Sequence, residues 1–150
     1  PSWHRNIGKR LVKAPKVYVR DSGIVHALLG LRDKEMLLGH PIVGLSWEGF
    51  VIETLLAVAP TETEASFYRT AAGAEIDLVL NLPGERRWAV EIKRGLAPKL
   101  ERGFHHACAD LQPERRFVVY SGAERFPVSI NTEAISLIDL GTLLLAAAAA

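Results

Sequence analysis

The sequence contains few of the residues that cross-link a protein or bind soft metals. Its 150 residues include one cysteine, Cys108, and five histidines. A single cysteine excludes an internal disulfide and suits a reducing compartment, and no stretch resembles a secretory signal, so we expect a cytoplasmic protein. Cys108 lies in an apolar helical stretch, which predicts a buried, inert thiol. The adjacent His105 and His106 would point about 100° apart on a helix, which excludes the i, i+4 pair typical of zinc sites.

Long apolar runs are also missing. No run reaches the roughly 18 residues that a membrane-spanning helix needs. Apolar residues nevertheless make up 49% of the chain, which is sufficient for a buried core. The leucines at 143–145 and the alanines at 146–150 form a run too short to cross a bilayer, and we assign no role to residues 146–150.

A phosphate-binding loop of the G-x-x-x-x-G-K-[ST] type is absent from the sequence. Gly8-Lys9 lacks both the upstream glycine and a following Ser or Thr, so we do not expect these residues to bind ATP. The chain begins with Pro1 and its only methionine is Met36. We therefore expect it to be part of a longer protein.

The formal net charge is only +1, but the charge is unevenly distributed. The first 20 residues contain six basic residues and no acidic one. These residues are Arg5, Lys9, Arg10, Lys13, Lys16 and Arg20. Such a stretch predicts either contacts with phosphate groups or a solvated segment that docks on another domain, and the sequence leaves both open.

The pattern of apolar residues predicts an N-terminal segment over residues 1–44 and an α/β core over residues 45–145. In the segment we expect a strand at 17–19, a helix at 22–29 and a break at Pro41 and Gly44. In the core we expect a helix, three strands, a helix, a strand, and a last strand before a short helix. The predicted bounds are 45–59, 65–70, 75–80, 88–93, 98–111, 116–121 and 135–138. The strand–helix–strand step from Trp88 to Tyr120 predicts parallel strands.

Glu48 is placed unusually on the first predicted core helix. At 100° per residue, it falls between Val51 and Ile52 in angle and close to Leu55, in the middle of the apolar face. Burying a carboxylate there without a partner would lower the free energy of unfolding by on the order of several kcal/mol. Glu48 therefore needs a cation, a hydrogen-bond donor or a solvent-filled notch. The alternatives are a buried ion pair or a helix shifted so that Glu48 is exposed.

Two predicted strands carry acidic residues on one face. Alternation puts Ile76, Leu78 and Leu80 on one face of the first strand, and Glu75 and Asp77 on the other. In the second strand, Trp88, Val90 and Ile92 oppose Ala89, Glu91 and Lys93. The acidic face of the first strand and the Glu91–Lys93 face of the second would lie side by side in a hairpin.

A hairpin centred on Gly84 would place Asp77 directly across from Glu91, with Cβ atoms roughly 5 Å apart. Two carboxylates at that distance repel each other unless a divalent cation lies between them. The same register places Glu75 across from Lys93. An ordinary ion pair there, or a solvated polar face, is therefore the alternative to a metal site.

Asp77, thirteen intervening residues and then Glu91-Ile92-Lys93 form a D-x13-E-x-K pattern. With the acidic helix residue before it and the predicted element order, this pattern resembles the PD-(D/E)XK phosphodiesterase superfamily. The implied fold is α/β, a restriction-endonuclease-like core of order α-β-β-β-α-β behind a short N-terminal segment.

A closer likeness covers most of the chain. It is carried by Lys13-Ala14-Pro15-Lys16-Val17-Tyr18, Asp21-Ser22-Gly23, Trp47-Glu48-Gly49-Phe50, Tyr68-Arg69-Thr70, Gly73-Ala74-Glu75-Ile76-Asp77 and Glu91-Ile92-Lys93. These motifs resemble domain of unknown function 4143, the C-terminal domain of prokaryotic AAA-type ATPases. That resemblance implies an ATPase domain upstream, which would bind any ATP.

The resemblance also implies a site and a function. Asp77, Glu91 and the backbone carbonyl of Ile92 would bind Mg²⁺ (or Mn²⁺), Glu48 would complete the site directly or through a water, and Lys93 would assist hydrolysis. The partner would be a nucleic acid, most readily DNA. Expected contacts with it are Arg69, Arg94, Lys9, Arg10, Lys13 and Lys16. The alternative is an inactive nuclease-like module that binds DNA or docks on the ATPase domain.

Overall fold

The computed structural model describes residues 42–149, with side chains from Trp47 onwards. The strand, helix and break expected between residues 17 and 41, and the predicted nucleic-acid contacts at Lys9, Arg10, Lys13 and Lys16, lie outside the described residues. The elements are α1 (Ile42–Val58), β1 (Glu64–Arg69), β2 (Glu75–Leu82), β3 (Arg86–Ile92), α2 (Arg102–Leu111), β4 (Arg115–Tyr120), β5 (Phe126–Ser129), β6 (Thr132–Ser136) and α3 (Leu137–Ala149). From α1 to β4 the order is the one that the sequence predicts.

The strands form one six-stranded mixed sheet in the order β1-β2-β3-β4-β6-β5. β1, β2 and β3 are antiparallel neighbours, whereas β3 pairs with β4, and β4 with β6, in parallel. The parallel pairing of β3 and β4 across α2 confirms the prediction made from the strand–helix–strand step. The chain is therefore a mixed α/β protein whose antiparallel hairpin joins a parallel half at β3.

Several predicted bounds need correction. α1 begins at Ile42 and passes through Gly44, where the sequence predicted a break. A glycine inside a helix costs about 1 kcal/mol relative to alanine, and this cost is small beside the burial of Val51 and Leu55, which are both 0% exposed. α2 begins at Arg102 instead of Pro98. Tertiary packing overrides local propensity at the first of these positions.

The β2–β3 hairpin is longer and its turn is tighter than the sequence predicted. Residues 81–87 were expected to form a loop, but only 83–85 lie between the two strands. Gly84 and Glu85 have positive φ values of 81° and 61°, which the turn requires and which glycine adopts without strain. Asn81 and Arg87 pair across the strands, and Arg87 Nε donates to Asn81 Oδ1 at 2.8 Å.

The C-terminal part contains more regular structure than predicted. β5 was missed because Pro127 interrupts its pattern, yet a proline is tolerated on the edge strand that β5 forms. β6 covers Thr132–Ser136 where 135–138 was predicted, and α3 extends to Ala149 where a short helix was expected. Alanine has the highest helix propensity, so the terminal alanines continue the helix.

Two apolar cores lie on opposite faces of the sheet. On one face α1 and α3 pack on each other and on the sheet, with Val51, Leu55, Leu140 and Leu144 in the core. On the other face α2 covers the sheet with its buried residues Phe104, Ala107, Cys108 and Leu111. Within the described residues, no helix has the length and apolar content that crossing a bilayer requires.

The predicted assignment of side chains to the two faces of the sheet is confirmed in β3 and wrong in β2. Trp88, Val90 and Ile92 all lie in the core under α1 and α3, as predicted, and Ala89 lies in the opposite core. Ile76, however, packs on the α2 side, whereas Leu78 lies on the other side. The prediction that they share a face is wrong because the register between β1 and β2 shifts at this point, as a β-bulge does. Asp77 lies within the irregular step.

Candidate carboxylate–lysine site

The hairpin register brings Asp77 to the end of β3. The paired residues run from Leu82↔Arg86 to Leu78↔Val90, which is the register predicted by centring the hairpin on Gly84. The regular pairing ends at Leu78↔Val90, so the predicted pairing of Asp77 with Glu91 is not part of it. Asp77 Oδ2 accepts a hydrogen bond from the backbone N–H of Ile92 at 2.9 Å. The irregular step in β2 and this bond together hold the Asp77 carboxylate beside the residue that follows Glu91.

Glu91 is the most buried acid at this end of the sheet, with 9% of its surface exposed. Burial, and next the negative charge of Asp77, raise the pKa of Glu91 to about 8, and the Lys93 ammonium opposes this shift without cancelling it. Glu91 Oε2 is buried and has no hydrogen-bond partner among the described residues. With this pKa, the Glu91 carboxyl group keeps its proton at neutral pH, because its ionised form is poorly compensated.

Lys93 lies between two glutamates. Its Nζ atom is 3.5 Å from Glu91 Oε1 and 3.6 Å from Glu101 Oε1. Burial lowers the pKa of Lys93, but the charges of Glu91 and Glu101 outweigh burial and leave that pKa raised. Lys93 is therefore an ammonium ion at neutral pH.

Glu75, which the sequence offered as an ion-pair partner of Lys93, forms a salt bridge with Arg69. Arg69 is its cross-strand neighbour in β1, and Arg69 Nε donates to Glu75 Oε1 at 3.2 Å. This hydrogen bond is the main cause of the raised pKa of Arg69, and the charges of Asp77 and Glu48 add to it. The guanidinium thus faces the acidic end of the sheet.

α1 reaches the same end of the sheet through Trp47. The Trp47 indole Nε1–H donates to the backbone carbonyl of Lys93 at 3.0 Å. Glu48, the next residue, is half-buried and precedes Val51 and Leu55, which are fully buried on the same helical face. The predicted apolar face of α1 is therefore present, with Glu48 at its margin near Arg69.

The described residues contain no group of three or more His, Cys, Asp or Glu side chains arranged to hold a metal ion. Asp77 and Glu91 are close enough for the charge of one to raise the pKa of the other. Glu48 does not join them in a three-acid group. Of the predicted nucleic-acid contacts that are described, Arg69 is bound by Glu75 and Arg94 is exposed.

Two neighbours of Lys93 were not anticipated from the sequence. Trp47 entered the sequence analysis only as part of the Trp47-Glu48-Gly49-Phe50 motif, and its position next to Glu48 was the signal available. Glu101 comes eight positions after Lys93 and occupies the N-cap of α2. A loop joins the two residues, so neither strand nor helix periodicity predicts a contact between them. Only the folded chain shows that Glu101 approaches Lys93.

Cys108 behaves as predicted. Cys108 is fully buried, and burial raises the pKa of its thiol to about 11, which makes it inert at neutral pH. His105 and His106 are exposed on α2. Neither side chain belongs to the acidic end of the sheet.

The chain is similar to two protein families and to proteins of two mycobacteria. A family model described as domain of unknown function (DUF4143) matches residues 43–140, and a second, described as domain of unknown function (DUF8612), matches residues 1–35. Uncharacterized protein Rv2008c of Mycobacterium tuberculosis and uncharacterized protein Mb2031c of Mycobacterium bovis are each 44% identical over 134 residues. The match covers 89% of this chain but only 30% of each relative's length. No solved structure matches the chain.

Proposed function

This chain belongs to the DUF4143 family, and we propose that Asp77, Glu91 and Lys93 form the metal-dependent phosphodiesterase site of a nuclease-like domain. In this proposal the α1-to-β4 part of the fold is a PD-(D/E)XK core. The domain would be a cytoplasmic, C-terminal part of an AAA-type ATPase and would act on nucleic acid, most readily DNA. ATP would be bound by the upstream domain.

The observation that carries the proposal is the state of Glu91. Its carboxyl group is buried beside Asp77, and its Oε2 atom has no hydrogen-bond partner among the described residues. Two carboxylates supply the oxygen ligands that Mg²⁺ prefers, and Mg²⁺ commonly binds one or two carboxylates and keeps several waters. The residues therefore fit a two-carboxylate Mg²⁺ or Mn²⁺ site, to which Glu48 would contribute through a water. The carbonyl of Ile92 is the proposed backbone ligand.

The protein's own residues have distinct roles in this proposal. The Ile92 N–H orients the Asp77 carboxylate, and the Trp47 indole holds the backbone of Lys93. The Lys93 ammonium would orient the attacking water or stabilise negative charge developing on the phosphate. When bound, the metal ion would polarise the scissile phosphate and lower the pKa of that water.

Basic residues near the site would contact the nucleic-acid backbone. Arg94 is exposed directly after Lys93, and Arg69 would offer the part of its guanidinium that Glu75 leaves accessible, since 38% of its side-chain surface is exposed. Lys9, Arg10, Lys13 and Lys16 would add phosphate contacts from the N-terminal segment.

The second candidate function is a non-catalytic module that binds DNA or docks on the ATPase domain. It is favoured by the lack of a three-acid metal group in the part of the chain that the structure describes. It is also favoured by the ion pairs of Lys93 with Glu91 and Glu101, which can hold this end of the sheet together without a metal.

Calorimetric titration with Mn²⁺ separates the two functions. We expect Glu91→Gln to lower Mn²⁺ affinity by about 10- to 100-fold, because it removes a charged ligand and keeps the shape of the side chain. Glu85→Gln is the matched control: Glu85 is exposed in the turn at the opposite end of the same hairpin, and its removal should leave the affinity unchanged.

The module interpretation predicts a different result. If the parent protein binds no Mn²⁺ or Mg²⁺ at millimolar concentration, or if Glu91→Gln and Glu85→Gln change the affinity equally, the metal site is excluded. Retention of DNA binding in Glu91→Gln and in the absence of divalent ions would then support the module.

A further inference from the structure

An apolar groove runs along the side of the molecule formed by α1, α3 and the end of β4. Its volume is about 770 Å³. Trp47 and Phe50 line it from α1, Tyr120 from β4, and Ile138 and Leu145 from α3. None of the described residues that line this groove is charged. Its chemistry therefore selects an apolar occupant.

The groove contains three of the most exposed large apolar side chains in the described part of the chain. Phe50 is 51% exposed, Ile138 is 81% exposed and Leu145 is 54% exposed. A contiguous exposed apolar patch costs free energy in water and marks an interaction surface. We therefore expect an apolar segment to cover these exposed side chains.

The chain immediately before α1 supplies such a segment within reach. Trp47 is five residues after Ile42, so the groove starts roughly 8 Å along the helix axis from the point where the preceding chain enters. Residues 24–29 read Ile-Val-His-Ala-Leu-Leu and contain no charged residue. The twelve residues from 30 to 41 can extend about 40 Å, so they can connect this hexapeptide to any point along the groove.

The boundary between the two matching families falls between residues 24–29 and the groove. One family model ends at residue 35 and the other begins at residue 43. Residues 24–29 therefore belong to the first region, whereas the groove lies in the second region and in the end of α3 that follows it. A short apolar segment from one region seated in a groove of its neighbour is a common mode of recognition.

We propose that residues 24–29 occupy this groove and so dock the region matched by the first family on the region matched by the second. A second copy of the chain is the alternative occupant, and it predicts protection of the groove that grows with protein concentration. The proposal does not depend on the metal site.

Cysteine labelling of the full chain tests it. Ile138→Cys places a thiol in the groove, and Ile130→Cys places one outside it at a residue that is 86% exposed. Cys108 is retained, since its buried thiol reacts slowly and the parent chain measures that background. We expect maleimide to label Ile138→Cys about tenfold more slowly than Ile130→Cys, because reaction requires the segment to leave the groove.

Disruption of the segment should remove this protection. Adding Leu28→Asp to Ile138→Cys should bring its labelling rate to that of Ile130→Cys, whereas Leu11→Asp, the same change outside the segment, should not. Because Leu28→Asp can also disturb folding, a second measurement is oxidation of the pair Leu28→Cys and Ile138→Cys. We expect an intramolecular disulfide in this variant and none when Ile130→Cys replaces Ile138→Cys.

Three results would overturn the proposal. They are equal labelling of the two single cysteines in the chain, protection that survives Leu28→Asp, and protection that grows with protein concentration. The last of these would identify a second copy of the chain as the occupant.

Discussion

Two charged clusters lie at different places on the same sheet, and they differ in the ratio of acidic to basic side chains. Around Glu133 in β6, one carboxylate receives two guanidinium groups, Arg125 at 2.9 Å and Arg115 at 3.5 Å. Around Lys93, one ammonium lies between the carboxylates of Glu91 and Glu101, with Asp77 close to Glu91. In the first cluster two guanidinium groups compensate one carboxylate, whereas in the second cluster three carboxyl groups surround one ammonium.

The two clusters also differ in burial. The Glu133 side chain is 28% exposed, whereas the Glu91 side chain is 12% exposed. Water screens charges at the surface, but a buried carboxylate loses its hydration and needs a partner. The same residue types therefore form ordinary surface ion pairs around Glu133 and a candidate cation site around Lys93.

The largest effect is expected for Lys93. If the site hydrolyses phosphodiesters, Lys93→Ala should reduce kcat by about 100-fold or more, because a positive charge near the developing anion is lost. Binding of Mn²⁺ should remain, since Lys93 is not a proposed ligand. Cleavage of DNA and RNA oligonucleotides measures the first effect, and calorimetry measures the second.

Lys99→Ala, which removes an exposed lysine from the loop before α2, is the control for loss of charge. Equal rates of hydrolysis by Lys93→Ala and the parent protein would show that Lys93 only forms ion pairs with Glu91 and Glu101 and takes no part in hydrolysis.

The next largest effect is the pH dependence of stability. Because the folded-state pKa of Glu91, about 8, lies above its ordinary value of 4.5, the folded protein keeps a proton that the unfolded chain has released between these pH values. The stabilisation present below pH 4.5 is lost as the pH rises through 8. We expect Glu91→Gln to lose less stability than the parent from pH 5 to pH 9, by a few kcal/mol, since each pKa unit corresponds to about 1.4 kcal/mol.

Urea unfolding of both proteins at several pH values measures this difference. Glu133→Gln, at the compensated cluster, should follow the parent's profile. Parallel profiles for Glu91→Gln and the parent would show that Glu91 is not protonated in the folded state.

A moderate effect is expected at Gly103, next to the helix start that places Glu101 near Lys93. A Cβ atom at Gly103 would lie 2.4 Å from the backbone oxygen of Gly73, so Gly103→Ala must displace α2 or the turn before β2. We expect a cost of about 1–3 kcal/mol in the free energy of unfolding. Gly95→Ala, where nothing lies within 4 Å of the added atom, should be nearly neutral in the same urea experiment. Equal stability of the two variants would show that α2 can shift freely.

The smallest effect is expected at the surface cluster. Arg125→Ala removes one of the two guanidinium groups that bind Glu133, and exposed pairs contribute about 0–1 kcal/mol. The free energy of unfolding should therefore change by less than the effect of Gly103→Ala. A larger loss would mean that the Glu133 cluster is structurally as demanding as the Lys93 cluster.

Much of the fold follows from local patterns. The apolar face of α1, the alternation in β3 and the buried face of α2 are all readable by spacing, because each element repeats at a constant period. The hairpin register also followed from the position of Gly84, since a tight turn determines which residues pair. β5 and the start of α1 did not follow, because Pro127 and Gly44 are locally unfavourable and are accommodated by an edge position and by packing.

The candidate site was predictable in part. Asp77, Glu91 and Lys93 were identified because acidic residues on an alternating strand face are unusual. The exact relation of Asp77 to Glu91 was not predictable, since it depends on the irregular step in β2 that changes the face of Ile76. The salt bridge of Glu75 with Arg69 follows from the pairing of β1 with β2, in which the two residues flank the turn that contains Gly73 at a φ of 95°.

By itself, the sequence determined the element order from α1 to β4, the hairpin register and the identity of the acids and the lysine at its open end, because these depend on periodicity and turn chemistry within short stretches of chain. Only the tertiary structure decided that Glu91 is buried with one oxygen to which no described residue donates a hydrogen bond. It alone also decided that Trp47 and Glu101 contact Lys93 from α1 and from the N-cap of α2, and that α1 and α3 leave an apolar groove between them. Burial and long-range contact depend on how separate elements pack, and no local pattern contains that information.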